Sequence, residues 1–381
     1  MIVALIIGIL FGIFCGIFPG LHPNSVSAII SNFHLEQIGI ILIAMLGAYS
    51  VILFLPSIMF GIPQGEIIIS LLPGQKMYAQ GKLKEAIYIV KISALVAALL
   101  AVIFGYLLIF IFNDLNNLIK PYLPYILIFA SSFFILKQEK KLYAAIVFIL
   151  CAIWGYVVLN RDIIEPLFAM FVGFFTVPYI LFMQKDKKIE QQTKIENKKI
   201  DFLEVVFWGV VVGTIADFLP GISSPAQLAL LSGIFIKLDD VRKFLAHLVA
   251  IEVSHNVIAL STATASIARV GTVAIAKNFV EFNPYTYSIY AAIFLFSLLI
   301  GTYFLEFLSL FIQRNISGIK IYQILKILLI YLIAMIALIC GIEGIVVLVI
   351  SSIFGIYTYK LGINRITLMA ALIGPSIIYL L

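Results

Sequence analysis

Four residues in the second half of the chain carry groups that apolar segments rarely keep. Asp217 stands just before Leu219-Pro220-Gly221, and Glu252, His255 and Asn256 interrupt the apolar run that starts near Phe244. Glu252 lies three residues from His255 and four from Asn256, spacings that put all three on one face of a helix. Ionisable groups at membrane depth are costly, and carboxylates and amides kept there suit Na+ or a transferable proton. Two Pro-Gly pairs offer the complementary chemistry. Proline removes a backbone donor and glycine opens left-handed angles, so Pro19-Gly20 and Pro220-Gly221 are each expected to break a helix. Beyond each break the helix restarts, with Ser224 as cap and Pro225 at the first helical position, and with similar chemistry in His22-Pro23-Asn24-Ser25. Bare amides at such restarts favour an anion, a carboxylate or a phosphate. The expected anion contacts are therefore Gly20, His22, Asn24 and Ser25 on one side and Gly221, Ser223 and Ser224 on the other. In a third break, Gly61-Ile62-Pro63-Gln64-Gly65-Glu66, residues Gly61, Pro63, Gln64 and Gly65 would line or gate the site, and Glu66 adds a carboxylate. The residues from 67 to 72, closed by Pro73-Gly74, are too few to span.

The elements that hold these groups are read from composition and hydropathy. Of 381 residues, 63% are hydrophobic and 12% charged, and the mean hydropathy is +1.15. Soluble domains are about a quarter charged, so the chain reads as an all-α polytopic membrane protein. Crossing the hydrocarbon takes about 20 apolar residues. Segments of that kind are predicted near 2–18, 36–56, 86–112, 121–137, 141–159 and 163–183, then near 202–219, 244–265, 286–312, 321–341, 343–359 and 363–381. That gives about 10–12 membrane segments. The start, 1–18, has no basic stretch or small-residue cleavage site and reads as the first membrane helix, not a removable leader.

Residues 184–201 form the one strongly polar stretch and carry six lysines, which reads as a cytoplasmic linker between two halves, 1–183 and 202–381. Gly12, Pro19 and Gly20 align without gaps with Gly213, Pro220 and Gly221, each set ending the first apolar segment of its half. An internal duplication with broken, re-entrant helices is the expected architecture. If every segment of the first half crosses once, Lys76, Lys82, Lys84, Lys137, Lys140 and Lys141 share the linker's side. Lys237, Arg242 and Lys243 disagree with that count, and a re-entrant hairpin would restore agreement.

Several functions find no support. The net charge of +6 sits in short connections, as in membrane proteins, and does not mark a nucleic-acid surface. Cys15, Cys151 and Cys340 lie inside apolar stretches with no metal-ligand spacing and read as small buried hydrophobes. Glu252-Val-Ser-His255 resembles a fragment of a metal site, yet His22, His34 and His247 supply no second motif. No catalytic triad, nucleotide motif or redox cofactor is evident, so no enzyme is expected.

The motif order resembles the TctA-type large membrane subunit of tripartite tricarboxylate transporters. The resemblance rests on Pro19-Gly20, on Gly61-Ile62-Pro63-Gln64-Gly65, and on the basic stretch from Pro73 to Ala86. Pro220-Gly221, Glu252-Val-Ser-His255-Asn256 and the closing Gly355 to Pro375 complete it. His255 stands where the family has an asparagine, Pro73 stands where it has an aspartate, and the second half lacks its own Gly-Ile-Pro-Gly near Val270-Gly271-Thr272. The resemblance implies a permease in the cytoplasmic membrane of a prokaryote, with a small membrane subunit and an extracytoplasmic binding protein as partners. The combined expectation is a secondary transporter for an organic anion, driven by Na+ or H+ through Asp217, Glu252, His255, Asn256 and Glu66. The alternative is a carrier that moves a polyprenyl phosphate, a lipid phosphate, between membrane leaflets.

Overall fold

The computed structural model describes residues 1–18, 21–33, 37–60, 71–182, 202–218, 228, 232, 240–316 and 321–381, and among them there is no strand. In the first half the helices are α1 (Ile2–Ile17), α2 (Pro23–Ile30), α3 (Ile38–Ile52), α4 (Phe54–Phe60), α5 (Leu71–Ala79) and α6 (Leu83–Ile119). They are followed by α7 (Leu123–Leu136), α8 (Lys141–Leu159), α9 (Pro166–Phe171) and α10 (Val177–Phe182), the last two joined by a π-helical turn, Val172–Thr176. The second half has α11 (Phe202–Ala216), α12 (Val241–Thr262), α13 (Gly271–Ala276), α14 (Pro284–Ile316), α15 (Ile321–Ile339), α16 (Gly341–Lys360) and α17 (Ala370–Leu380). Each of the twelve predicted segments holds helix. Among the described residues, six helices are long and apolar enough to cross a membrane, including Ile38–Met59, Val241–Ala265 and Pro284–Asn315. The chain is a multi-pass membrane protein.

Glycines set the closest packing. Gly8 rests on Ile41 and Ala44, Gly12 on Met45 and Ala48, and Gly16 on Ile52. The numbers rise together, so α1 and α3 run parallel. Small residues let two backbones meet this closely, and a Cβ at Gly12 would strike the Met45 carbonyl. The same geometry recurs in the second half, where Gly209 of α11 rests on His247 and Ala250 of α12, and Gly213 rests on Ile251 and Ser254.

The long helices then pair across the halves. α12 runs parallel to α6, with Arg242 Nε 3.0 Å from Glu85 Oε1 near one end and Ile258 beside Gly105 further along. α14 runs parallel to α3, with Phe294 against Gly47 and Gly301 against Ala48. α6 and α14 meet in opposite senses, since Tyr287 Oη donates to the Val102 carbonyl at 2.9 Å while Lys91 Nζ donates to Glu306 Oε2 at 2.8 Å. It follows that α3 and α12 are antiparallel. The remaining helices build a second hydrophobic core, in which α8 packs on α17 and α16 packs on the α9–α10 unit.

These directions sort the basic residues. One end of the bundle gathers Lys82, Lys84, Lys140, Lys141, Arg242, Lys243, Arg314 and Lys360, whereas the other keeps Lys120, Arg161 and Lys277. The first end is the more basic, the asymmetry that the positive-inside rule associates with a cytoplasmic side. Arg242 and Lys243 thus share the side of Lys82 and Lys84, which removes their conflict with the sequence-based count; Lys237 lies outside the described residues.

Three expectations need correction. Single crossings would make α1 and α3 antiparallel, but they are parallel. α1 has 16 residues, about 24 Å at 1.5 Å per residue, and α2 leaves His22 beside Tyr49 to head back toward the start of α3. Pro73-Gly74 is not a break but lies in the first turn of α5, where proline costs no helical hydrogen bond and Gly74 fits against Ile58. Finally, α6 and α14 run to 37 and 33 residues, past the predicted ends, because polar residues such as Asn113 to Asn117 continue the helix.

Candidate functional site

Asp217, one residue past the end of α11, and Glu252, His255 and Asn256 of α12 are all buried to 2% exposure or less. Buried charges persist only with partners, and these have them. His255 Nδ1 lies 3.2 Å from Asp217 Oδ2, the Thr262 hydroxyl donates to Asp217 Oδ1 at 3.5 Å, and Arg269 Nε donates to the Asp217 backbone carbonyl at 3.3 Å. Asn256 Nδ2 donates to Glu252 Oε1 at 2.9 Å and to Ser50 Oγ of α3 at 3.1 Å. The face predicted from spacing therefore exists, and α11 and α3 are brought against it from two sides.

Depth can be read from the helices. Ser50 sits near the middle of Ile38–Met59, and Asn256 lies well inside Val241–Ala265. His22, flanking the first break, lies at the level of Tyr49, whose ring meets the His22 imidazole edge-on at 5.4 Å between centroids. Asp217, at the second break, lies beside His255. The described flanks of both interruptions thus reach the middle of the bundle.

His22 caps α2 as expected, its Nδ1 accepting from the Asn24 N–H at 3.1 Å with Pro23 at the first helical position. Asn24 does something the spacing did not announce. Its Oδ1 accepts from both the backbone N–H (2.8 Å) and the hydroxyl (3.0 Å) of Thr272. It therefore caps α13 from the other half of the chain, and its carbonyl is committed. Of the remaining sites, Pro19, Gly20, Gly61, Pro63, Gln64, Gly65, Glu66, Pro220, Gly221, Ser223 and Ser224 lie outside the described residues, as does the linker 184–201. For Ser25 only the backbone, inside α2, is described.

His255 faces Asp217, Arg269 reaches the Asp217 carbonyl, and His247 bonds the Ser232 hydroxyl (2.6 Å) and the Val205 carbonyl (3.1 Å). Ser50 and Thr272 were missed. Of the two, Ser50 left a trace, as a hydroxyl in an otherwise apolar run. Among the described residues no group of three or more His, Cys, Asp or Glu side chains is arranged to hold a metal ion.

The packing register also relates the halves position by position. Extending Gly8/Gly209 and Gly12/Gly213 along α1 and α11 pairs Gly16 with Asp217. Extending Met45/Ile251 and Ala48/Ser254 along α3 and α12 pairs Leu46 with Glu252, Tyr49 with His255, and Ser50 with Asn256. The Ser50–Asn256 hydrogen bond therefore joins equivalent positions. Across that bond the chemistry differs, with Asp217, Glu252 and His255 matched by Gly16, Leu46 and Tyr49.

No solved structure matches the chain. A curated relative, the uncharacterised protein MJ1079 of Methanocaldococcus jannaschii, is 29% identical over 249 residues, which is 62% of this chain and 62% of the relative's own length. The family match is far broader, since it takes in both halves, the buried acids and the second core. Over residues 2–370 the sequence fits the tripartite tricarboxylate transporter TctA family, and the chain belongs to that family.

Proposed function

We propose that the chain is the permease of a secondary transporter, moving an organic anion such as a carboxylate across the cytoplasmic membrane of a prokaryote. The observation that carries this reading is the buried set Asp217, His255, Glu252 and Asn256, placed mid-bundle between the flanks of two interrupted helices. Such groups are expensive in a membrane and mark ion or substrate paths. The reciprocal pairing of α3 with α14 and α12 with α6 supports an inverted duplication, with α1–α2 as a re-entrant hairpin. Backbone amides near Gly20 and Gly221 would take the anion, and the acids of α11 and α12 would take the coupling Na+ or H+. Membership of the TctA family supports a small membrane subunit and an extracytoplasmic binding protein as partners.

The test is thermal stabilisation of the purified protein by a panel of di- and tricarboxylates and lipid phosphates. At least one carboxylate raises the melting temperature, and Glu252→Gln weakens that gain at least tenfold in apparent affinity. If no carboxylate stabilises the protein, the reading fails.

One feature supports the lipid-phosphate alternative. A groove of about 370 Å³ between α6 and α14, lined by Val102, Tyr106, Tyr287 and Ala291, opens sideways from the bundle. It would accept an isoprenoid chain but has no cation for a phosphate. Stabilisation by a polyprenyl phosphate alone would favour it.

A further inference from the structure

We infer that Gly271 and Thr272 of the second half are positioning residues for the anion, because they fix which end of the Asn24 carboxamide meets it. The inference rests on the transport reading above, in which the anion sits by the first break, and it narrows what that site can recognise. Asn24 offers N–H donors there, so the site selects a group that only accepts hydrogen bonds, as a carboxylate does.

α13 starts without a cap of its own. Its N-cap residue is Val270, which has no side-chain oxygen and makes no capping bond. A cap takes the amide of the second or third helical residue. Here that amide, the Thr272 N–H, donates to Asn24 Oδ1 at 2.8 Å, and the Thr272 hydroxyl donates to the same oxygen at 3.0 Å. A carboxamide has nearly the same shape turned end for end, but a backbone N–H can only donate. The oxygen of Asn24 must therefore face Thr272, and its NH2 group must point elsewhere. Thr272 is 1% exposed, so water does not compete for these bonds.

Gly271 sets the plane. A Cβ at Gly271 would lie 2.7 Å from Asn24 Cγ, 2.9 Å from Oδ1 and 3.0 Å from Nδ2, and these are its three nearest atoms. The carboxamide thus lies with its face on the bare Cα of Gly271. The main chain of Asn24 is held as well, since its N–H donates to His22 Nδ1 at 3.1 Å. Among the described residues nothing accepts from Asn24 Nδ2. Place, plane and end of the group are fixed before a ligand arrives, which is what a polar contact needs in order to discriminate. A carboxylate accepts through both oxygens, whereas an amide or alcohol of similar shape also brings donors and meets Nδ2 less well.

The test uses the carboxylate that stabilises wild type most, titrated against each variant and read from that variant's own unliganded melting temperature. Gly271→Ala sets a methyl group against the Asn24 carboxamide and should weaken apparent affinity about tenfold or more. Asn24→Ala should cost at least as much, and adding Gly271→Ala to it should cost nothing further, because the group that the methyl displaces is gone. Asn24→Asp keeps both bonds to Thr272, needs no new space, and turns the ligand-facing end from donor to acceptor, so it should abolish the response. Thr272→Ser keeps both donors and should bind as wild type does. The inference is overturned if Asn24→Asp binds the carboxylate as tightly as wild type, or if the effects of Gly271→Ala and Asn24→Ala add. Should Gly271→Ala not fold, Asn24→Asp decides alone. A wild type that responds to no carboxylate removes the transport reading, whereas a responding wild type with an equally responsive Asn24→Asp removes this inference only.

Discussion

Asn256 shows how one side chain can tie a site together. It joins Glu252, one turn earlier on the same helix, to Ser50 on α3. Interhelical hydrogen bonds in membranes are worth only about 0.6 kcal/mol on average, whereas leaving a buried polar group without its partner costs about 1–3 kcal/mol. The second effect should win, so Asn256→Ala is predicted to lower the melting temperature by several degrees while Ser50→Ala does much less. Glu85 and Arg242 make a sharper case, with side chains only 7% and 10% exposed. Removing one partner of such a pair costs about 3–5 kcal/mol, while replacing both with apolar residues is often neutral. Glu85→Leu alone should prevent recovery of folded protein from detergent, and Glu85→Leu with Arg242→Leu should restore much of it. Equal losses from the single and double variants would contradict this account.

Elements were legible where the signal was local. Each of the twelve segments found by apolar length holds helix, though α2, α5 and α13 lie outside them, and the three- and four-residue spacing on α12 put Glu252, His255 and Asn256 on a common face before any packing was known. Direction was not legible. Hydropathy is the same read forwards or backwards, so nothing in Ile2–Ile17 says that it runs parallel to α3; Gly8, Gly12 and Gly16 reveal it only through what they touch. Nor could Asn24 be seen as a cap for α13, since its partner Thr272 is 248 residues away. Ends were overcalled for a similar reason: Pro73-Gly74 looks like a stop, but proline in a first turn is harmless. A test belongs here. Gly213→Leu must collide with the Ile251 carbonyl and the Ser254 side chain and is predicted to abolish folded protein. Gly341→Ala, at φ 65 with open space around it, should cost only about 1 kcal/mol. Size-exclusion profiles of the two variants decide the matter.

At the scale of the whole molecule, sidedness is the claim most exposed to experiment. Cys15, Cys151 and Cys340 are buried, so single cysteines placed at partly or fully exposed positions can be read against a quiet background. Cysteines replacing Lys84, Lys140 and Lys243 should react with an impermeant maleimide only from the cytoplasmic side, and one at Lys277 only from outside. Labelling of Lys84→Cys and Lys243→Cys from opposite sides would break the parallel pairing of α6 and α12.

The opposed directions of α3 and α12 have a consequence for how such a machine could work. In the inverted duplication proposed above, each of these helices would take nearly the place the other left when the molecule is turned upside down. An exchange of shapes between the two copies would then move the opening from one side of the barrier to the other. A molecule built this way needs only one asymmetric posture, used twice. Its unequal chemistry, Glu252 and His255 on α12 against Leu46 and Tyr49 on α3, would then make the two postures different.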